Sequence, residues 1–96
     1  MKMFVVVYSR AADYDVLRQI KKTGIQGYTK ITEASGEGVD TEPKLGTHTW
    51  PGANNVLYIA VQDEEVPLVS GAIRQLKVSL PRAGVKGFVL PLEEVV

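Results

Sequence analysis

The chain is predicted to fold as an α+β domain, a four-stranded antiparallel sheet with two helices on one face, in the order β-α-β-β-α-β. Three observations predict it. Two apolar, β-branched runs, Met3 to Tyr8 and Val56 to Val61, are each followed by a segment with helical periodicity. Each helical segment ends in glycine- or proline-containing punctuation and gives way to a further β-favouring stretch. A long polar segment then lies between the second and third strands.

Met3 to Tyr8 carries almost no polar residue, which suits a strand buried on both faces near the middle of a sheet. Between Ala12 and Thr23 the residues Tyr14, Leu17 and Ile20 recur every three positions, with Val16 beside them. Asp13 and Asp15 complement the positive end of the helix dipole, and Lys21 and Lys22 the negative end. Gly24 supplies a left-handed cap. Ile25 to Ala34 is the second strand, favoured by Tyr28, Thr29, Ile31 and Thr32. Val56 to Val61 is the third. Asp63 is the expected N-cap of the second helix, with Glu64 and Glu65 in the first turn and Pro67 early enough to cost no hydrogen bond. Val66, Val69, Ile73 and Leu76 mark its buried face. Pro81, Gly84 and Gly87 interrupt the chain before a last strand, Phe88 to Leu92. This is the ferredoxin-like, split β-α-β arrangement. Both alternating sets of the first strand are hydrophobic, as are Val56, Tyr58, Ala60 and Leu57, Ile59, Val61 of the third. One set of each therefore faces away from the helices, and the open face is expected to be covered in a homo-oligomer.

Residues 1–96 are expected to form a single domain, since domains run to roughly 100 to 200 residues. A domain this small buries only about 60 to 65% of its unfolded surface, which oligomerisation helps to offset. The chain is 45% hydrophobic, enough for a core, and its eleven basic and eleven acidic residues cancel. No net field is left to hold nucleic acid or anionic lipid. The absence of cysteine excludes disulfides and thiolate metal sites and agrees with a reducing compartment. The apolar run at the N-terminus is about five residues, short of the roughly 7 to 15 of a signal peptide. A cytoplasmic protein without direct membrane insertion is expected.

The anomaly is the loop of residues 38–55. Roughly 17 residues separate Gly38 from Val56, where antiparallel neighbours need two to five, and loops beyond about 12 to 15 are usually functional or disordered. It holds the single His48 and the single Trp50. Trp50 fits either a β-hairpin arm packed on a neighbouring subunit or a ligand or partner contact.

The run Gly24-Ile25-Gln26-Gly27-Tyr28-Thr29, followed by Thr32-Glu33 and Gly36-Glu37-Gly38, resembles the segment that leads into the long loop of P-II-type nitrogen-regulatory signal proteins. The resemblance extends to the opening strand, to Val61-Gln62-Asp63 and to Lys86-Gly87-Phe88-Val89. It implies a homotrimer that binds ATP, ADP or another adenine nucleotide in clefts between subunits, and whose long loop contacts a target enzyme or membrane transporter. The candidate effector-binding residues are Gly27, Thr29, Gly36, Gly38, Gly84 and Lys86; His48 and Trp50 are candidates for partner contact. Gly36 and Gly38 let backbone N–H groups approach an anion, the Thr29 hydroxyl can bond a purine edge, and Lys86 places a point charge on a phosphate. The chain also departs from the classical pattern. Val39 and Asp40 stand where an arginine and a glutamine are usual, and Tyr58 where an acidic residue contacts adenine. The glycine-rich phosphate loop is reduced to Arg82-Ala83-Gly84-Val85-Lys86. The basic pair of the C-terminal extension and the modified loop tyrosine have no counterpart.

Two other classes fit parts of the chain. A divalent-metal-binding trimer similar to the cation-tolerance proteins would use His48 with Glu37, Asp40 or Glu42, a thin ligand set that needs sharing between subunits. A small ferredoxin-fold enzyme would need His48 with Asp40 or Glu42 as its acid and base. The charged helix residues Arg18, Lys21, Lys22 and Arg74 read as a solvated face.

Overall fold

The structure is a computed structural model that describes residues 1–37 and 53–96. The predicted order of elements is present: β1 (Lys2–Ser9), a 3₁₀ turn (Arg10–Ala12), α1 (Asp13–Lys21), β2 (Thr29–Ala34), β3 (Asn54–Val61), a second 3₁₀ turn (Asp63–Glu65), α2 (Val66–Ser79) and β4 (Lys86–Pro91). The sheet order is β2-β3-β1-β4, and every neighbouring pair is antiparallel. Among the described residues no helix is long and apolar enough to cross a membrane.

The ambiguity of the two hydrophobic sets is resolved by burial. Phe4, Val6 and Tyr8 of β1 and Leu57, Ile59 and Val61 of β3 are buried under the helices. Their alternates point the other way. On the open face β1 presents Met3, Val5 and Val7, and register places Val56, Tyr58 and Ala60 beside them on one side and Lys86, Phe88 and Leu90 on the other. Thr29 and Ile31 extend that face onto β2, opposite Tyr58 and Val56.

The helices cover the buried face with Val16 and Ile20 of α1 and Val69, Ala72, Ile73 and Leu76 of α2. Each buried valine, isoleucine or leucine contributes about 1.5 to 3 kcal/mol, and Ala72 less. The i, i+4, i+8 series Ala12, Val16, Ile20 is the true inner stripe of the first helical segment. Tyr14, expected in it, is 75% exposed; it lies two residues from Val16, nearly opposite on a helix. Three further expectations are corrected. Gln62, not Asp63, caps the second helical segment, through a reciprocal capping box with Glu65. Asp63 instead pairs with the N-terminal ammonium at 3.2 Å. Residues 25–28 precede β2 rather than begin it: Ile25 is buried in the core, whereas Thr29 to Glu33 of the strand are exposed. The last strand starts at Lys86 and ends at Pro91, two residues earlier at its start than predicted, because Lys86 and Gly87 pair with Val7 and Val6. The cap at Gly24 is as expected, with φ +94° and its N–H bonded to the Lys21 carbonyl at 3.0 Å.

Gly87 is fixed by packing. A Cβ there would lie 2.5 Å from Ile73 Cδ1, so α2 rests directly on the β4 backbone. Gly87→Ala is expected to cost about 1 kcal/mol, because the obstructing atom is the end of a side chain that can shift. In an Ile73→Val background, which lacks that atom, the same change should cost distinctly less, as a denaturant double-mutant cycle will read.

Candidate effector-binding site

The end of the sheet from which residues 38–52 depart is built by main-chain contacts. Ser9 pairs with Asn54, the Ser9 N–H donates to the Ala83 carbonyl at 2.8 Å, and the Arg10 N–H donates to the Ala53 carbonyl at 2.8 Å. The turn through Ala83 and Gly84, closed by the Ala83 N–H on the Leu80 carbonyl, is thereby tied to the end of β1.

The candidate residues divide by what requires them. Gly84 adopts φ +64°, so the turn itself asks for glycine. Gly36 faces Asn54: a Cβ would lie 3.2 Å from its Nδ2, so packing asks for a small residue. Gly27 has nothing within 4 Å of a notional Cβ, so no contact within the described chain demands it. Thr29 and Lys86 are exposed. They stand on opposite edge strands, and three strand spacings of about 4.8 Å plus their register offset place them about 15 Å apart across the open face. One chain does not bring them together. Gly38, His48 and Trp50 lie outside the described residues, as do Asp40 and Glu42. Among the described residues no three His, Cys, Asp or Glu side chains are grouped to hold a metal ion.

Sequence reasoning missed a polar cluster beside this end of the sheet. Asp13, first residue of α1, accepts hydrogen bonds from the Tyr8 hydroxyl at 2.6 Å and the Asn55 amide at 3.0 Å on one oxygen, and from the Lys30 ammonium at 3.0 Å on the other. Tyr8 and Asn55 are fully enclosed, and Asn55 Oδ1 has no partner among the described residues. Burial acts to raise the Asp13 carboxyl, but the bonds from Tyr8, Lys30 and Asn55 outweigh it and hold the group below its ordinary 3.8. Burial, then the bond to Asp13 and its charge, push the Tyr8 hydroxyl well above its ordinary 10.0. The only sequence signal was the pair Asn54-Asn55 opening an apolar strand.

A second ion pair crosses the same end. Arg10 reaches past the start of β3 to Glu33 of β2. Glu33 has φ +62° and sits within the irregularity that shifts the β2–β3 register between Ile31 and Ala34. A left-handed conformation at a non-glycine residue costs about 1 kcal/mol, and an exposed ion pair returns roughly as much or less.

The nitrogen regulatory protein P-II family model matches residues 1–96, the whole chain. The chain belongs to the P-II family. Among solved structures, the PII-like protein CPII from Thiomonas intermedia K12, bound to ADP, AMP and bicarbonate, superposes with TM-score 0.75 at 19% identity, covering 92% of this chain and 81% of that one. The same protein bound to ADP, AMP and acetate gives 0.70 at 18% identity, with 93% and 82% covered. A PII-like signaling protein from Thermus thermophilus gives 0.63 at 24% identity, with 92% and 82% covered. At these identities the likeness is one of fold. No curated protein sequence matches significantly. P-II membership and the ferredoxin-like sheet agree with the resemblance read from the glycine-containing segment.

Proposed function

We propose that this P-II protein is a homotrimeric regulator that binds an adenine nucleotide between subunits and acts on a partner enzyme or transporter. The observation that carries the reading is the separation of Thr29 from Lys86. Both stand on the open face, at opposite edges and about 15 Å apart. Packing of open faces around a common axis would bring the β2 edge of one chain to the β4 edge of the next and so complete a cleft. The apolar side chains of those edge strands, with Ile31 48%, Phe88 51% and Leu90 47% exposed, supply the reason for such packing. Gly27, which no contact among the described residues requires, would then allow close approach of a nucleotide or of the neighbouring chain. The ADP- and AMP-bound state of the CPII structures supports the ligand class.

In such a cleft Thr29 would offer its hydroxyl to the purine edge, Lys86 its ammonium to a phosphate, and the turn at Gly84 its backbone. The loss of charge at Val39 and Asp40 predicts a weaker phosphate grip than the classical pattern gives. ADP at about 100 times its Kd is expected to stabilise the protein by about 2.7 kcal/mol. Differential scanning fluorimetry with ADP, AMP and ATP reads this directly, and Lys86→Ala should remove most of the shift. A screen in which none of the three nucleotides raises the Tm overturns the reading.

A further inference from the structure

Arg10 is presented by the backbone rather than by its side chain's own packing. Its N–H is bonded to the Ala53 carbonyl, the preceding residue is bonded to Ala83, and the exposed guanidinium extends across the start of β3 to Glu33. Its contact with Glu33 uses one nitrogen and one carboxylate oxygen. A guanidinium is a two-pronged donor that fits an oxyanion through two parallel bonds, so the contact leaves half of that capacity unused. Both side chains are more than half exposed, 53% for Arg10 and 60% for Glu33, so water already competes for the pair. Glu33 for its part holds a left-handed backbone inside the β2 irregularity, a conformation that is unfavourable without something to retain it. One exposed, single-point contact therefore joins Arg10 to a residue whose backbone is left-handed.

We propose that Arg10 is an oxyanion-binding residue whose resting partner is Glu33, and that a phosphate or carboxylate group gripped by Arg10 displaces Glu33 and lets the bulged end of β2 relax. Glu33 acts as a built-in competitor. Arg10 lies outside the glycine and lysine positions considered above, and the proposal stands whether or not a nucleotide is the effector. The ligand is defined by a planar or tetrahedral group with at least two acceptor oxygens, and it comes either as a free oxyanion or as the phosphate of a nucleotide. Because β2 leads directly into residues 35–37, the relaxation would be felt at the exit of the strand.

The test is NMR titration of the full chain, labelled with nitrogen-15, with inorganic phosphate at constant ionic strength. The Arg10 Nε–Hε signal and the backbone amides of Glu33 and Ala34 are expected to shift together. Glu33→Gln should bind phosphate about two- to fivefold more tightly, the range that loss of an exposed ion-pair competitor allows. Arg10→Lys, which keeps the charge and loses the fork, should bind more weakly than wild type. A parallel titration with ADP identifies the source: shifts at lower ADP than phosphate concentration assign a nucleotide phosphate, and equal or lower phosphate concentration assigns a free oxyanion. Unchanged phosphate affinity in Glu33→Gln, or an Arg10 signal that moves without Glu33 and Ala34, overturns the proposal. A failed nucleotide screen beside a positive phosphate titration would remove the nucleotide reading alone.

Discussion

Replacing Asp13 by alanine is expected to destabilise the protein by about 3 kcal/mol, because one carboxylate accepts from three separate donors, two of them on enclosed side chains. After the change the Tyr8 hydroxyl and the Asn55 amide are left in an apolar interior without an acceptor, and the loss is dominated by that desolvation rather than by the ion pair. The Lys30 contribution is the smaller share, since an exposed or half-exposed ion pair is worth at most about 1 kcal/mol. Asp13→Asn separates these shares. Its amide oxygen still accepts from Tyr8 and Asn55, while its NH₂ faces the Lys30 ammonium, so a cost of about 1 to 2 kcal/mol is expected. Urea unfolding at fixed protein concentration measures both. Equal stability of wild type and Asp13→Ala would show that the cluster is not what fastens α1 to the sheet.

The same cluster sets the pH dependence. Asp13 has a folded-state pKa below its unfolded value of 3.8, so its contribution is present above that value and is lost as pH falls through the lowered one. Tyr8 is raised above its unfolded value of 10.0, so its contribution is present below pH 10 and declines as pH rises beyond it, where the unfolded chain ionises first. Stability should therefore show a plateau between about pH 4 and pH 10, as far as these two groups govern it. Tyr8→Phe should flatten the alkaline limb and also weaken the acid limb, because Asp13 loses one of the bonds that lowers it.

Much of this architecture was legible because it rests on periodicity. The two runs of β-branched residues and the stripe Val69, Ile73, Leu76 dictate which segments pair and which lie on top. What the sequence left open was which alternate set of β1 faces the helices, since both are apolar, and only register with β3 and β4 decides it. The misplacement of Tyr14 arose from favouring every third residue when the buried stripe runs in fours. The candidate site was legible in part. Gly84 has a backbone reason to be glycine and Gly36 a packing reason, and neither distinguishes a ligand cradle from a turn. The Asp13 cluster joins positions 8, 13, 30 and 55, and the Arg10–Glu33 pair joins positions separated by 23 residues. Contacts of that span carry no local pattern. A left-handed glutamate is equally silent, because nothing in Thr32-Glu33-Ala34 asks for it.

If the proposed trimer forms, Val5→Asp is expected to leave a folded monomer in its place. Val5 stands in the central row Thr29, Tyr58, Val5, Phe88, flanked on both sides by aromatic side chains of the open face. In a lone chain that row is in contact with water, and a carboxylate there is hydrated, so the sheet should still form and the circular dichroism should be preserved. In a trimer closed over the same face the carboxylate would be enclosed between Tyr58 and Phe88. An unpaired buried charge costs several kcal/mol in each subunit, which three symmetry-related copies multiply. Assembly should fail before folding does. Multi-angle light scattering at micromolar concentration is expected to give three chain masses for wild type and one for Val5→Asp. Because Thr29 and Lys86 meet only across subunits in the proposed arrangement, the variant should also lose its nucleotide-induced thermal shift although neither residue is altered. A wild-type monomer removes the trimer, and a monomeric variant that keeps the full shift removes the inter-subunit cleft while leaving the trimer standing.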